Sequence, residues 1–288
     1  MTGSRRGFLA IIMLAVLFGF SSGPLQAAEQ TQPVFKIGVM PYLSTRSLLN
    51  TYQPIADAIE KRLQRPVQLL TAPDFDSFLE RTLNGDYDLS VLAPHYARLA
   101  MVDRGFHALV RHVLPIRGLL VTARDRPLQK FSDLRGESIA IVDRSALLAI
   151  VGSVTLAEQG LIEGRDYQFS QSVSHSSALH NALTGNNRVA LISHTTLVLA
   201  PPEVQARTIV WQELNKIPGL FYITPANTPD TLRRTLRDAL LTFEKSANGQ
   251  EFIEKTRHGG FMTPSTDDYR FLDRLLPETR QQLKNRPS

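Results

Sequence analysis

The sequence predicts an α/β protein of two lobes that close like a clamshell, each lobe a mostly parallel sheet flanked by helices, and three observations carry that reading. Short apolar runs suited to strands covered on both faces alternate with amphipathic helical stretches from Phe35 onward. One such unit recurs at an offset of about one hundred residues. In it, Phe78, Leu79, Leu83, Gly85, Leu89, Val91 and Leu92 face Ala178, Leu179, Leu183, Gly185, Val189, Leu191 and Ile192. The chain has 288 residues, 43% hydrophobic and 20% charged, enough for two cores of ordinary size.

Ser4-Arg5-Arg6 precedes an apolar block from Phe8 to Phe20, and small residues around Ala27 and Ala28 follow. This is the pattern of a signal peptide over 1–28, too short in its apolar part for a comfortable membrane span. Ser4 to Leu9 also resembles the twin-arginine export motif, so both export routes stay open. Phe35 to Met40 then reads as the first strand and Pro41 to Ser44 as its outgoing loop. Pro54 fits the first turn of a helix with Ile55, Ile59 and Leu63 along one side. Val67 to Thr71 is the second strand, Phe75 to Asn84 a helix stopped by Gly85, and Leu89 to Leu92 a third strand with Ala93-Pro94-His95-Tyr96 as its loop.

The crossing between lobes is expected within Arg117 to Ala123, which assigns 29–120 and 211–288 to the first lobe and 121–210 to an inserted second lobe. Ser138 to Val142 is a strand, Asp143 to Ala146 its loop, and Leu147 to Gln159 an apolar helix in which Gly152-Ser153 reads as close packing. Tyr167 to Ser170 is the next strand. Ser174, Ser176 and Ser177 then cap a helix, and Val189 to Ile192 is a buried strand with Ser193 to Thr196 as its loop. Thr208 to Trp211 reads as a short crossing strand and Ile217 to Tyr222 as the return to the first lobe. Pro229 opens a helix capped by Thr228, and Gly249 to Leu276 reads as packed helices broken at Gly259-Gly260. A lobe made from both chain ends with another inserted is a hinged architecture.

Ligands of such sheets sit beyond the carboxyl ends of the strands, beside helix amino termini, so His175 and Ser193 to Thr196 point toward one crevice. Several chemistries lack support. There is no cysteine, which excludes disulfides and thiolate metal sites. The net charge of +5 falls by two when Arg5 and Arg6 leave, and the remaining basic residues are spread along the chain, so no nucleic-acid footprint exists. His95, His175 and His194 share the carboxyl-end loops and admit a metal, but no carboxylate cluster joins them. A serine hydrolase using His175 with Ser145 or Ser193 lacks a Gly-x-Ser-x-Gly elbow.

A set of short segments in fixed order completes the reading: Ile37-Gly38-Val39 with Pro41-Tyr42, Pro54 to Asp57, Asp88 to Leu92 with Pro94 and Tyr96, Asp133 to Gly136, Ser174 to Leu179, and Gly260-Phe261 with Asp268-Tyr269. With these the chain resembles the periplasmic phosphate, phosphite and phosphonate-binding proteins of ABC importers, a branch of the type II solute-binding fold. The resemblance implies capture of a small anion between two lobes by a monomer without cofactor, and delivery to a membrane permease. A separate sensor kinase is the alternative partner, and an enzyme the third function class. It carries over Tyr42, Tyr96 and His175 as ligand contacts, with His95 competing with Tyr96 and Ser176 beside His175.

Two departures bear on the ligand. The loop after the inserted lobe's first strand offers only Ser145 where the family has a run of hydroxyls, and Arg144 is the candidate replacement as a bidentate fork. Ser193 and His194 stand where the family often has an acid, which argues against an aminoalkylphosphonate.

Overall fold

The computed structural model describes residues 33–284; the leader expected over 1–28 lies outside them. The chain enters β1 (Phe35–Val39), buried except at Lys36, and turns into α1 (Thr45–Leu63), capped by Ser44. Pro54 therefore sits inside this helix rather than in its first turn. The buried stripe Leu48, Tyr52, Ile55 and Ile59 runs straight past it, so packing on the sheet outweighs the one main-chain hydrogen bond that proline removes. β2 (Val67–Leu70) and α2 (Phe75–Asn84) follow as read, with Asp74 accepting from the Ser77 N–H at 2.7 Å.

β3 (Leu89–Leu92) leads straight into α3 (Pro94–Arg104). The stretch Ala93 to Tyr96 is thus a helix start, not a loop: Pro94 takes a first-turn position where its missing N–H costs nothing, and Gly105 ends the helix at φ 70°. After β4 (His107–His112) the chain changes sheets across 113–115 and enters β5 (Ile116–Ala123). The crossing expected at Arg117 to Ala123 is therefore the body of a strand, in which Leu119 pairs with both Ile192 and Glu213.

β6 (Glu137–Ile141), α4 (Leu147–Glu158), β7 (Tyr167–Gln171), α5 (His175–Thr184) and β8 (Val189–Ser193) reproduce the pattern of the first lobe. Ser193 to Thr196 is not a loop but the cap and first turn of a short α6 (His194–Val198), followed by α7 (Pro202–Arg207). β9 (Thr208–Ile217) is longer than the strand expected to end at Trp211. The chain returns to the first sheet through 218–220 in β10 (Phe221–Thr224). α8 (Asp230–Phe243) takes Pro229, not Thr228, as its cap. α9 (Ala247–Thr256), β11 (Phe261–Met262), α10 (Thr266–Asp273) and α11 (Leu276–Lys284) complete the fold; β11, just after Gly259-Gly260, is an edge strand where only helices were expected.

The sheet orders are β11-β4-β10-β3-β1-β2 and β7-β6-β8-β5-β9. Each is mixed rather than mostly parallel. β2-β1-β3 and β7-β6-β8 are parallel triplets, joined by helical crossovers, and the strands beyond β3 and β8 run antiparallel. The internal repeat holds in three dimensions. α2 and α5 are capped by Asp74 and Ser174 and end at Gly85 and Gly185, whose φ of 79° and 89° favours glycine. β3 and β8 then take the same place in their sheets.

Apolar side chains cover one face of the first sheet through Ile37, Val39, Ile55 and Leu240, and one face of the second through Val121, Leu179 and Ile192. A third cluster draws on both sheets, including Leu92, Tyr96, Ile139, Leu148 and Leu276. The last two helices straddle them. Asp273 and Arg280 pair with Arg98 and Asp103 on α3, while Arg274 pairs with Glu158 on α4.

Candidate functional site

The carboxyl ends of the two parallel triplets are brought together. The His95 and Tyr96 side chains, on the first turn of α3, are 0% and 2% exposed, and their rings stack with centroids 3.9 Å apart. The Tyr96 hydroxyl donates to the main-chain carbonyl of Ser145 at 3.2 Å, and Nε2 of His95 lies 3.3 Å from the same oxygen. A carbonyl only accepts, so Nε2 of His95 carries a proton. Ser145 is itself fixed in the turn after β6, where its N–H and hydroxyl both reach Oδ1 of Asp143, at 2.7 and 2.5 Å.

Arg144 is turned elsewhere. Its guanidinium pairs with Glu163 and lies over the Phe169 ring at 5.0 Å, both on the second lobe. A fork already closed on a carboxylate is not the free bidentate donor expected from the sequence.

Tyr42 follows the carboxyl end of β1 and packs against the cluster shared by both sheets. Its hydroxyl lies 2.9 Å from that of Tyr52 on α1. Burial pushes the phenol up to about 12, with the Tyr52 hydrogen bond pulling weakly the other way, so Tyr42 keeps its proton.

His175 opens α5, half-buried, with exposed Ser176 beside it. Burial lowers the imidazole's affinity for a proton, and a hydrogen bond to the Leu191 carbonyl offsets part of that. Nδ1 is buried without a partner among the described residues.

Ser193 caps α6, and its hydroxyl is shared with Thr195 and Thr196 at 3.0 and 2.8 Å. His194 meets Arg117, whose Nη1 donates to Nε2 of the imidazole at 3.0 Å while its Nε pairs with Glu213. Arginine cannot accept, so His194 carries its proton on Nδ1. Glu213 is held below the ordinary carboxylate range chiefly by the Arg117 hydrogen bond. Sequence reasoning missed Arg117, Glu213 and Asp143 as neighbours of these positions. A charge standing at the head of an apolar strand was the available signal for Arg117. Among the described residues no group of three or more histidine, aspartate or glutamate side chains is gathered to hold a metal, and no helix is long and apolar enough to cross a membrane.

The family described as "ABC transporter, phosphonate, periplasmic substrate-binding protein" matches residues 37–269. Among solved structures, XAC2383 from Xanthomonas citri bound to chloride is 18% identical, covering 88% of this chain and 99% of its own, with a TM-score of 0.75. It has also been solved bound to ATP. PhnD1 from Prochlorococcus marinus in complex with methylphosphonate is 10% identical over 86% of this chain and 98% of its own, at TM-score 0.71. PA3383, a binding protein component of an ABC phosphonate transporter from Pseudomonas aeruginosa, is 16% identical over 87% and 88%, at 0.67. At these identities the likeness is one of fold.

Proposed function

The chain belongs to the periplasmic substrate-binding family of phosphonate ABC transporters, and on that premise we propose that it binds a small oxyanion, a short alkylphosphonate first among them, between its two lobes and presents it to a membrane permease. The observation that carries this reading is the meeting of the two strand-end edges at Tyr96, His95 and Ser145. The amino termini of α2, α4 and α5 follow the carboxyl ends of β2, β6 and β7, one in the first lobe and two in the second. Backbone N–H groups at such termini favour an anion without a full countercharge.

Tyr42, Ser176 and Ser193 are the hydroxyl donors of the proposed site, Ser145 enters it through the turn that Asp143 holds, and the Nδ1–H of His194, oriented by Arg117, is a further neutral donor. Arg144 supports the second lobe instead. With Ser193 where an acid would hold an amino group, the proposed ligand carries no amine. The relatives solved with chloride, ATP and methylphosphonate hold anions, which agrees with this class. The protein is proposed to act as a monomer after loss of residues 1–28 on export.

A calorimetric screen of the mature protein against phosphate, phosphite, methylphosphonate, 2-aminoethylphosphonate, alkylsulfonates and short carboxylates tests the reading. Binding of an alkylphosphonate in preference to its amino analogue supports it. Binding of none of these anions, or preference for the amine, contradicts it.

A further inference from the structure

On the second lobe two helical segments run side by side away from the carboxyl edge of the sheet. α5 leaves the end of β7 and returns to the start of β8, while α6 and α7 leave the end of β8 and return to the start of β9. β7 and β8 both run parallel to β6. β9 is antiparallel to β5, which is itself antiparallel to β8, so β9 points the same way as the other two. Both helical segments therefore start at the carboxyl edge and end at the opposite one. They pack on the same face of the sheet, α5 through Leu179 and Leu183, and the other segment through Leu197, Ala200 and Val204.

Between them lies a groove of about 480 Å³, the size of a small-molecule site. Ser176, Thr195 and Thr196 line its end at the carboxyl edge. Ser176 is also a donor of the proposed anion site, and the hydroxyl of Ser193, another such donor, is shared with Thr195 and Thr196 at 3.0 and 2.8 Å. The middle of the groove is apolar, lined by Leu179, Leu183, Leu199, Ala200 and Val204. Thr184 and Arg207 line the far end, where they donate to the carbonyls of His180 and Leu183 at 3.0 and 3.2 Å. Leu199 is 83% exposed, so hydrocarbon along this groove stands in water.

An alkylphosphonate has the matching polarity. Its three oxygens accept hydrogen bonds, whereas the carbon on phosphorus accepts none and turns away from the donors. We propose that the groove between α5 and α6–α7 is a subsite for the organic substituent of the bound oxyanion, so that the ligand is an alkylphosphonate carrying a linear apolar chain rather than a bare phosphorus oxyanion. The inference rests on the proposed oxyanion site, with which the groove shares Ser176. From Ser176 to Leu183 α5 rises about 10 Å, the length of an extended chain of about six carbons. A peptide fits less well, because the apolar middle offers no partner to its N–H and C=O groups.

Calorimetric titrations of the mature protein with methyl-, butyl- and hexylphosphonate test the subsite, in wild type and in Leu199→Ser and Val204→Gln. Affinity should rise along the series, hexylphosphonate binding about thirtyfold tighter than methylphosphonate if each added methylene gains half the full transfer value. The heat-capacity change should become more negative in step. The ratio of hexyl to methyl affinity should fall toward one in both variants, and nuclear Overhauser contacts should join the hexyl chain to the methyl groups of Leu183 and Leu199. Methylphosphonate binding with no gain along the series overturns the subsite, leaves the oxyanion reading standing and leaves the groove to a protein partner. A gain that survives both substitutions, or chain contacts only to residues outside α5–α7, also overturns it. Binding of none of the three alkylphosphonates removes the oxyanion reading and the subsite with it.

Discussion

The hydroxyl of Tyr96 donates across 3.2 Å to the carbonyl of Ser145, tying the first turn after β3 to the turn after β6 and so joining the carboxyl edges of two separate sheets. His95 reaches the same oxygen, so the carbonyl keeps a donor when the phenol is removed. Tyr96→Phe is therefore expected to lower stability by only about 1 kcal/mol, the ordinary net value of one hydrogen bond. Urea denaturation measures it, and a loss several times larger would mean that Tyr96 does more than bridge the two edges.

Arg111 on β4 and Asp268 on α10 form a pair only 11% and 10% exposed, at 2.8 Å, which fixes the carboxyl-terminal helices to the first sheet. Burial alone would raise the Asp268 pKa, but the Arg111 guanidinium and the Ser265 cap outweigh it and the net shift is downward. A carboxyl with a depressed folded pKa contributes stability that is complete above its unfolded value and lost as pH falls through the folded one. Asp268→Asn should cost about 3 kcal/mol at neutral pH by stranding a buried guanidinium. That cost should shrink in urea titrations as acid protonates the wild-type carboxyl; a constant difference would assign the loss to packing.

His258 responds to acid with the opposite chemistry. Burial lowers its pKa from the ordinary 6.5 to about 4. Between those values the unfolded chain binds a proton that the folded one refuses, so stability falls as pH drops from about 6.5 toward 4, by on the order of 3 kcal/mol. His112 and His175 shift in the same direction for the same first reason. His258→Gln should flatten the profile of unfolding free energy over this window. An unchanged slope would show that His258 is not a source of the acid sensitivity.

Two glycines separate tight from tolerant packing. A Cβ on Gly38 would stand 2.5 Å from the Tyr87 ring, which is stacked on Phe78, whereas one on Gly152 would meet only the end of the flexible Leu191 side chain at 2.6 Å. Gly38→Ala should cost about 2 kcal/mol through overpacking. Gly152→Ala gains helix propensity worth about 1 kcal/mol and should fall near neutral. Thermal unfolding of the two variants checks the contrast, and equal losses would contradict it.

Much of the architecture was legible because capping and apolar spacing are local. Ser174, Gly185 and Val189 to Ile192 specify a cap, a stop and a strand within one short stretch, and the repeat at Phe75 made a second lobe explicit. The α3 start was misread although Pro94 and Gly105 bracket it, because His95 and Tyr96 are polar-tipped residues buried by the other lobe. The crossing was placed inside β5 because Leu119 finds Ile192 and Glu213 only in space. The site was less legible for the same reason. Residue types marked Arg144, yet Glu163 and Phe169, which hold it, are distant in sequence.

Hydrogen exchange of the mature protein with and without saturating methylphosphonate tests the central claim most directly. A ligand held between the lobes should slow exchange together at 42–47, 95–98, 144–149, 175–178 and 194–197, segments contributed by both sheets. Binding that slows exchange in one sheet only, or only around the surface formed by Gly85, Arg104 and Asn227 on the first lobe, would contradict the account.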